Sequence, residues 1–192
     1  MEPEPVKYED ERRWLLLDGM PDTNNTDIGH IDSVDRITQF YIPVTMGSLR
    51  YRRSINVRTG KETYTEAHKA PKEFSRGAEC EVEIHYWVYE ARMYDAIGNT
   101  IKTRTTLTID DWVFELDEFL GECSGLVIVE LEFKCDKSVD EEVAKQLYQQ
   151  YLALQLPDCF GRNIEITGDS AYSNYQLAIQ GIPESFYTYC SS

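Results

Sequence analysis

The chain has 192 residues and a formal net charge of −15, and 42% of it is hydrophobic, 12% aromatic. That length fits one domain, and the apolar share is enough for a packed core, which excludes a disordered chain. The acidity excludes a surface that coats DNA or RNA, and no apolar run approaches the ~18 residues of a membrane span. The acidic start "MEPEPVKYEDERR" is unlike a signal peptide, and Cys80, Cys123, Cys135, Cys159 and Cys190 form no CxxC pair. A cytoplasmic chain with neither a disulfide framework nor a zinc ribbon is the expectation.

Most of the chain reads as short strands with period-two alternation. They are expected at 36–42 ("RITQFYI"), 48–57 ("SLRYRRSINV"), 62–69 ("ETYTEAHK") and 79–88 ("ECEVEIHYWV"). A short helix is predicted over 89–97. Strands resume at 99–109 ("NTIKTRTTLTI"), 111–119 ("DWVFELDEF") and 125–134 ("GLVIVELEFK"). A longer helix is predicted from Val139 to about Leu154, with Ser138 as N-cap and Glu141 completing a capping box. Its expected buried stripe is Val139, Val143, Leu147, Tyr151 and Leu154. There is no βαβ rhythm, so the expected class is α+β, mainly β, with an antiparallel sheet that curls or closes.

Side chains at i and i+2 of a strand share a face. Read this way, Glu9/Glu11, Glu79/Glu81, Glu115/Asp117 and Glu130/Glu132 are acidic pairs, and Arg50/Arg52 and Lys102/Arg104 are basic pairs. Any one pair alone would pass as an ordinary solvent-facing strand. Six pairs sorted by sign are different, because like charges side by side repel and a ligand of opposite sign is the usual compensation. Val127, Val129, Leu131 and Phe133 alternate with Glu130/Glu132, and Trp112, Phe114 and Leu116 with Glu115/Asp117, so the other face is apolar. If the charged faces line a barrel, arginines suit phosphate and clustered carboxylates suit Mg²⁺ or Mn²⁺.

In this order the residues resemble the triphosphate tunnel metalloenzymes, or CYTH superfamily, and its short bacterial-type members most closely. Glu9-Asp10-Glu11-Arg12-Arg13 stands where that family has Glu-x-Glu-x-Lys. Gln39 and Tyr41, Arg50 and Arg52, Lys69, Arg76 before Glu79 and Glu81, and Lys102 with Arg104 follow in the family's order. The most specific stretch is 112–133, with Trp112, Glu115, Asp117, Phe119, Gly121, Gly125, Leu126, Glu130 and Glu132 at its spacing. Segment 157–178 resembles its closing segment.

The resemblance implies one domain over 1–192, a closed eight-stranded antiparallel tunnel with a helical insertion at about 138–154. It implies hydrolysis of inorganic triphosphate, or of a related nucleoside or thiamine triphosphate, with Mg²⁺ or Mn²⁺. Glu9, Glu11, Glu79, Asp117, Glu130 and Glu132 would serve the metal, and Arg50, Arg52, Lys69, Arg76, Lys102 and Arg104 the phosphates. Arg13, Glu81 and Glu130 are the implied catalytic residues. No DNA or membrane partner is implied, and the molecule would be a monomer or homodimer. The alternatives are a class IV-type adenylate cyclase, in which the ATP 3′-hydroxyl replaces water, and a non-catalytic polyphosphate or nucleotide binder.

Three departures stand out. Arg13 replaces the family lysine, the helix at 139–154 is longer than the usual link, and Ala171 stands where an arginine often precedes Tyr172-x-Asn174. Trp112, Phe119 and Leu126 read as core, Tyr172 and Asn174 as packing or site, and His68 and His85 as structural. Cys80 alternates with Glu79 and Glu81, and is expected to point away from the tunnel and be buried.

Overall fold

In a computed structural model the described residues are 11–22, 28–69, 79–133 and 139–191, apart from the side chain of Glu79. They form nine strands: β1 Glu11–Leu16, β2 His30–Ile42, β3 Ser48–Asn56, β4 Glu62–Lys69, β5 Glu79–Glu83, β6 Gly98–Ile109, β7 Trp112–Leu120, β8 Val127–Glu132 and β9 Asn163–Glu165. Four helices accompany them: α1 Tyr86–Met93, α2 Glu141–Ala153, α3 Asn174–Gln180 and α4 Glu184–Cys190. All nine strands join one sheet in the order β5-β4-β3-β2-β6-β7-β8-β1-β9, and each ladder is antiparallel. The mainly β antiparallel class is therefore as expected, with nine strands rather than eight among the described residues. No ladder between those residues joins β5 to β9.

The two faces of β7 and β8 differ as their alternation requires. Phe114, Leu116, Val127, Val129, Leu131 and Phe133 are buried on the outer face with Trp14 and Leu16 of β1. Tyr148, Tyr151 and Leu154 of α2 and its C-terminal edge cover them, and Phe160 joins from a 3₁₀ turn. Each such Leu, Val or Phe contributes about 1.5–3 kcal/mol by leaving water. A second core on β2 and β3 packs Phe40 and Tyr51, stacked with ring centroids 5.3 Å apart, under Tyr89 of α1.

The helices depart from expectation in instructive ways. Asp140, not Ser138, caps α2, accepting from the Glu142 amide at 3.0 Å, so the helix starts at Glu141. Ser138 lies outside the described residues. Tyr151 is buried as expected, with Ala144, Tyr148 and Leu154 half-buried beside it, whereas Val143 and Leu147 are exposed. The rings of Tyr148 and Tyr151 both reach Phe133, and that aromatic contact sets the rotation of the helix. Helix α1 begins at Tyr86 because β5 makes its last sheet bond at Ile84, whose amide donates to the Tyr64 carbonyl. "HYWV" has strand composition, but docking Tyr89 against Phe40 overrides propensity. Cys80 turns away from the charged face as expected, yet it is exposed rather than buried. Among the described residues no helix is long and apolar enough to cross a membrane.

A candidate anion and metal site on the charged face

Residues opposed in an antiparallel ladder share a face, so the register can be followed across the sheet. Glu11 faces Glu132 and Arg13 faces Glu130. Glu130 faces Glu115, Asp117 faces Arg104, and Lys102 faces Phe119 and Ile37. Gln39 faces Arg52 and Tyr41 faces Arg50, while Ala67 links Arg50 to Glu81 and Lys69 stands opposite Glu79. Glu11, Arg13, Arg50, Arg52, Lys69, Glu81, Lys102, Arg104, Asp117, Glu130 and Glu132 thus occupy one face of seven strands. Glu79 shares that face by register, but its side chain is outside the described set. Glu9 and Arg76 also lie outside the described residues.

Toward one end this face turns apolar within two residues of each charge. Leu15 follows Arg13, Phe119 follows Asp117, and Ile128 precedes Glu130, and all three are buried with Tyr172 and Leu177 of the closing segment. That segment also reaches the charges. Arg13 donates to the Tyr172 carbonyl, Asn174 Oδ1 accepts from Lys102 Nζ at 3.1 Å, and Tyr175 meets Tyr41 edge-on at 5.2 Å. A Cβ on Gly98 would lie 2.2 Å from the Ala178 carbonyl oxygen, so only glycine lets α3 approach β6 this closely.

The acidic wall is densely bonded. Arg104 grips Asp117 through Nε at 2.7 Å and Nη2 at 2.6 Å, reaches Glu130 at 2.6 Å, and also pairs with Glu115. Lys102 and Asp117 are both fully buried and paired with each other. Burial opposes ionisation of Asp117, but Arg104 and Lys102 outweigh it and hold the carboxyl well below the usual range. Arg13 lies 3.2 Å from Glu11 and 3.4 Å from Glu130. Burial, and then the Glu130 charge, push Glu11 up to about 7 even though its side chain is 44% exposed, and Arg13 and Lys69 pull the other way. Lys69 belongs to β4, six strands from β1 in the sheet.

The basic wall is sparse by comparison. Arg50 donates to Glu81 at 2.7 Å. Arg52 donates to the neutral Gln39 at 3.2 Å and makes no ion pair among the described residues. Burial, with Arg50 and then Arg104 nearby, lowers Arg52 to about 10. The Thr65 hydroxyl, opposite Arg52 in the ladder, and the Thr100 hydroxyl, opposite Gln39, are buried with no hydrogen-bond partner among the described residues. A face carrying a guanidinium without an ion pair among the described residues, beside unbonded hydroxyls, suits a multiply charged oxyanion.

Comparison with known proteins agrees. A curated protein of Acetivibrio thermocellus (strain ATCC 27405), named inorganic triphosphatase, is 36% identical over 76 residues, which is 40% of this chain and 38% of that protein. The match thus spans well under half of that relative. The crystal structure of the inorganic triphosphatase NE1496 superposes with TM-score 0.58 at 26% identity, covering 93% of this chain and 99% of the other. The chain is thus similar to inorganic triphosphatases, in sequence over part of its length and in fold over most of it. Its fold is shared more distantly by PH1819 from Pyrococcus horikoshii OT3, at TM-score 0.52 and 18% identity over 78% of this chain and 92% of that one. No family model matches the chain.

Within this chain the alternation of charges was readable, but three participants were not singled out as site residues. Gln39 is fully buried beside Arg52, Glu115 joins the Arg104 network, and Asn174 reaches Lys102. Glu115 was visible as half of an acidic pair. Asn174 carried only its place after Tyr172, since nothing local says which strand a closing segment will touch.

Proposed function

We propose that the chain is a divalent-metal-dependent triphosphatase acting on inorganic triphosphate or a related small triphosphate held within the curled charged face. The observation that carries the reading is Arg52, a half-buried cation beside Arg50 and Arg104 without an ion pair among the described residues. Removing a guanidinium from water next to like charges is costly unless an anion joins it. Arg50, Arg52 and Lys69 would cradle the phosphates, with Thr65 and Thr100 offering hydroxyls. Arg76 is part of the same proposal through the family resemblance.

The carboxylates fit a hard divalent cation. Glu11, Glu130 and Glu132 supply oxygen donors only, and Glu11 lies close enough to Glu130 for their charges to oppose each other. Among the described residues no group of three metal-binding side chains already converges. Glu11, Glu130 and Glu132 would hold Mg²⁺ or Mn²⁺, with Glu9 and Glu79 as further candidates. Such an ion, when bound, neutralises phosphate oxygens and lowers the pKa of water. Arg13 would hold Glu11 and Glu130 apart and oriented, and Glu81 would fix Arg50. Curling of the sheet into a tunnel is supported by the reach of Lys69 to Glu11.

The test is phosphate release from inorganic triphosphate with Mg²⁺ or Mn²⁺, beside an EDTA control and Glu130→Gln. The expected result is metal-dependent release that falls at least a hundredfold in the variant, as for loss of a transition-state electrostatic contact, roughly 10²–10³. A folded protein that binds triphosphate without turning it over would be the polyphosphate binder instead.

A further inference from the structure

We infer that α1 is the contact through which two copies of this chain pair about a two-fold axis. The pairing is independent of what the charged face binds.

A helix lying on a sheet needs one apolar face, and α1 has two. Tyr89 is the inward anchor, buried against Phe40, with its hydroxyl donating to the Thr38 carbonyl at 3.4 Å. The opposite side would ordinarily be polar. It carries instead Trp87, 59% exposed, and Tyr94, 89% exposed, with the exposed Ala91 between them. At 3.6 residues per turn these three fall within about 60° of one another, pointing away from Tyr89. Tyr86, Met93 and, just past the helix, Ile97 are exposed beside them. A helix that is apolar on every side belongs in an interior. The surface is also held in place before any partner arrives. The His85 ring lies 5.9 Å from that of Trp87, and Arg92 is engaged by Asp95 at 3.7 Å and by the Tyr51 hydroxyl. Side chains fixed in advance lose little entropy on association.

The spacing selects a second copy as the partner. Aromatic, small and aromatic at 87, 91 and 94 is nearly the same sequence in both directions, so an antiparallel α1 fits it. With the axis level with the 90–91 peptide, each Trp87 stands level with the Tyr94 of the other copy. The two Ala91 residues then meet where the helices cross, and small side chains there allow a close approach. The three rings with Met93 and Ile97 expose on the order of 500 Å² per copy, a patch large enough to mark an interaction surface. It falls short of the ~800 Å² per partner of a standard complex, so the dimer is a weak one. Charge weakens it further, since each chain carries −15 and the axis sets the two Glu90 side chains near each other.

The experiment is sedimentation equilibrium of the full chain from about 1 to 500 µM, a range suited to weak interfaces, in which the mass should rise from one chain toward two. Trp87→Glu and Tyr94→Glu should each weaken the dimer roughly thirtyfold or more, as for loss of a hot-spot aromatic. Tyr187→Glu, changing a ring on α4 as exposed as Trp87, should leave it unaltered. Added salt and Glu90→Gln should each tighten it, because both relieve repulsion across the axis. Under mild oxidation Ala91→Cys should cross-link to its own copy faster than wild type, whose Cys80 and Cys190 are exposed, since facing Cα atoms come within about 4.4–6.8 Å. All these variants should melt with the wild type, as the changed side chains are exposed. A chain that stays monomeric throughout at high salt would overturn the inference. So would a dimer indifferent to Trp87→Glu, or an Ala91→Cys chain that cross-links no faster than wild type. A dimer loosened by Glu90→Gln would also overturn it, because Glu90 would then be meeting a basic surface.

Discussion

The two walls of the charged face are built by opposite rules. On the acidic wall Glu11 opposes Glu132 and Glu115 opposes Glu130, and Arg13, Lys102 and Arg104 are threaded between them. On the basic wall Arg50 and Arg52 oppose the uncharged Tyr41 and Gln39. Removing a cation from the first wall strands buried carboxylates. Removing Arg52 from the second relieves repulsion with Arg50 and Arg104. The difference teaches that the acidic wall is part of the fold, whereas Arg52 is held at some expense in stability that the proposed anion would offset.

The contrast is most easily broken at Arg104. Arg104→Gln leaves Asp117 and Glu130 without their shared partner and should cost about 3–5 kcal/mol, as for a broken buried pair. Thermal unfolding should fall by roughly 6–20 °C for a chain of this size. A shift of only a degree or two would mean that the acidic wall is not structural. Next comes the apolar face behind the same wall. Leu131→Ala should cost about 2–5 kcal/mol in denaturant unfolding while leaving KM of the folded fraction unchanged.

Arg52→Gln sharpens the comparison from the other side. Stability should stay within about 1 kcal/mol of wild type or rise. Triphosphate binding, followed by calorimetry, should weaken roughly 10–100-fold for a lost charged hydrogen bond of about 1.5–3 kcal/mol. Strong destabilisation would erase the distinction between the walls.

The smallest effect lies outside both walls. Glu165 bonds Arg12 through both oxygens, at 3.0 and 2.9 Å, and these hydrogen bonds hold its carboxyl below the ordinary value. A lowered folded-state pKa stabilises above the unfolded value, near 4.3, and the benefit disappears as pH falls through the lowered value. The side chain is 43% exposed, so solvent screening limits the contribution to below about 1 kcal/mol. The melting-temperature gap between wild type and Glu165→Gln should therefore be constant near neutrality and close under acid. A gap that persists in strong acid would assign it to packing instead.

Much of this was legible in the residues themselves. Period-two alternation made the inward charges and outward Val127, Val129 and Leu131 readable without coordinates, because a pleated strand leaves them no other arrangement. Strand order was not legible. β2 pairs with β6 across more than fifty residues, and β1 lies between β8 and β9, relations that no local pattern encodes. The expected strand began at 36, but β2 starts at His30 and pairs with β6 through an irregular register between Ile31 and Ser33. Val143 and Leu147 looked buried because hydropathy was counted without allowing for aromatic docking at Phe133. Asn174 was ambiguous for the same reason as the strand order, since its partner is 72 residues away.

Arg12 and Arg13 are adjacent in sequence and serve opposite faces of one strand. Arg13 sits among Glu11 and Glu130, while Arg12 is buried, donating to the carbonyls of Tyr151 at 3.0 Å and Leu154 at 2.8 Å where α2 ends. Slip β1 by one position in one direction, and Trp14 is driven in among the carboxylates. Slip it in the other, and the Glu11 carboxylate is set against helix carbonyls that need a donor. Neither mispairing has a tolerable outcome, so this strand proofreads its own alignment, and α2 is the gauge against which it is read.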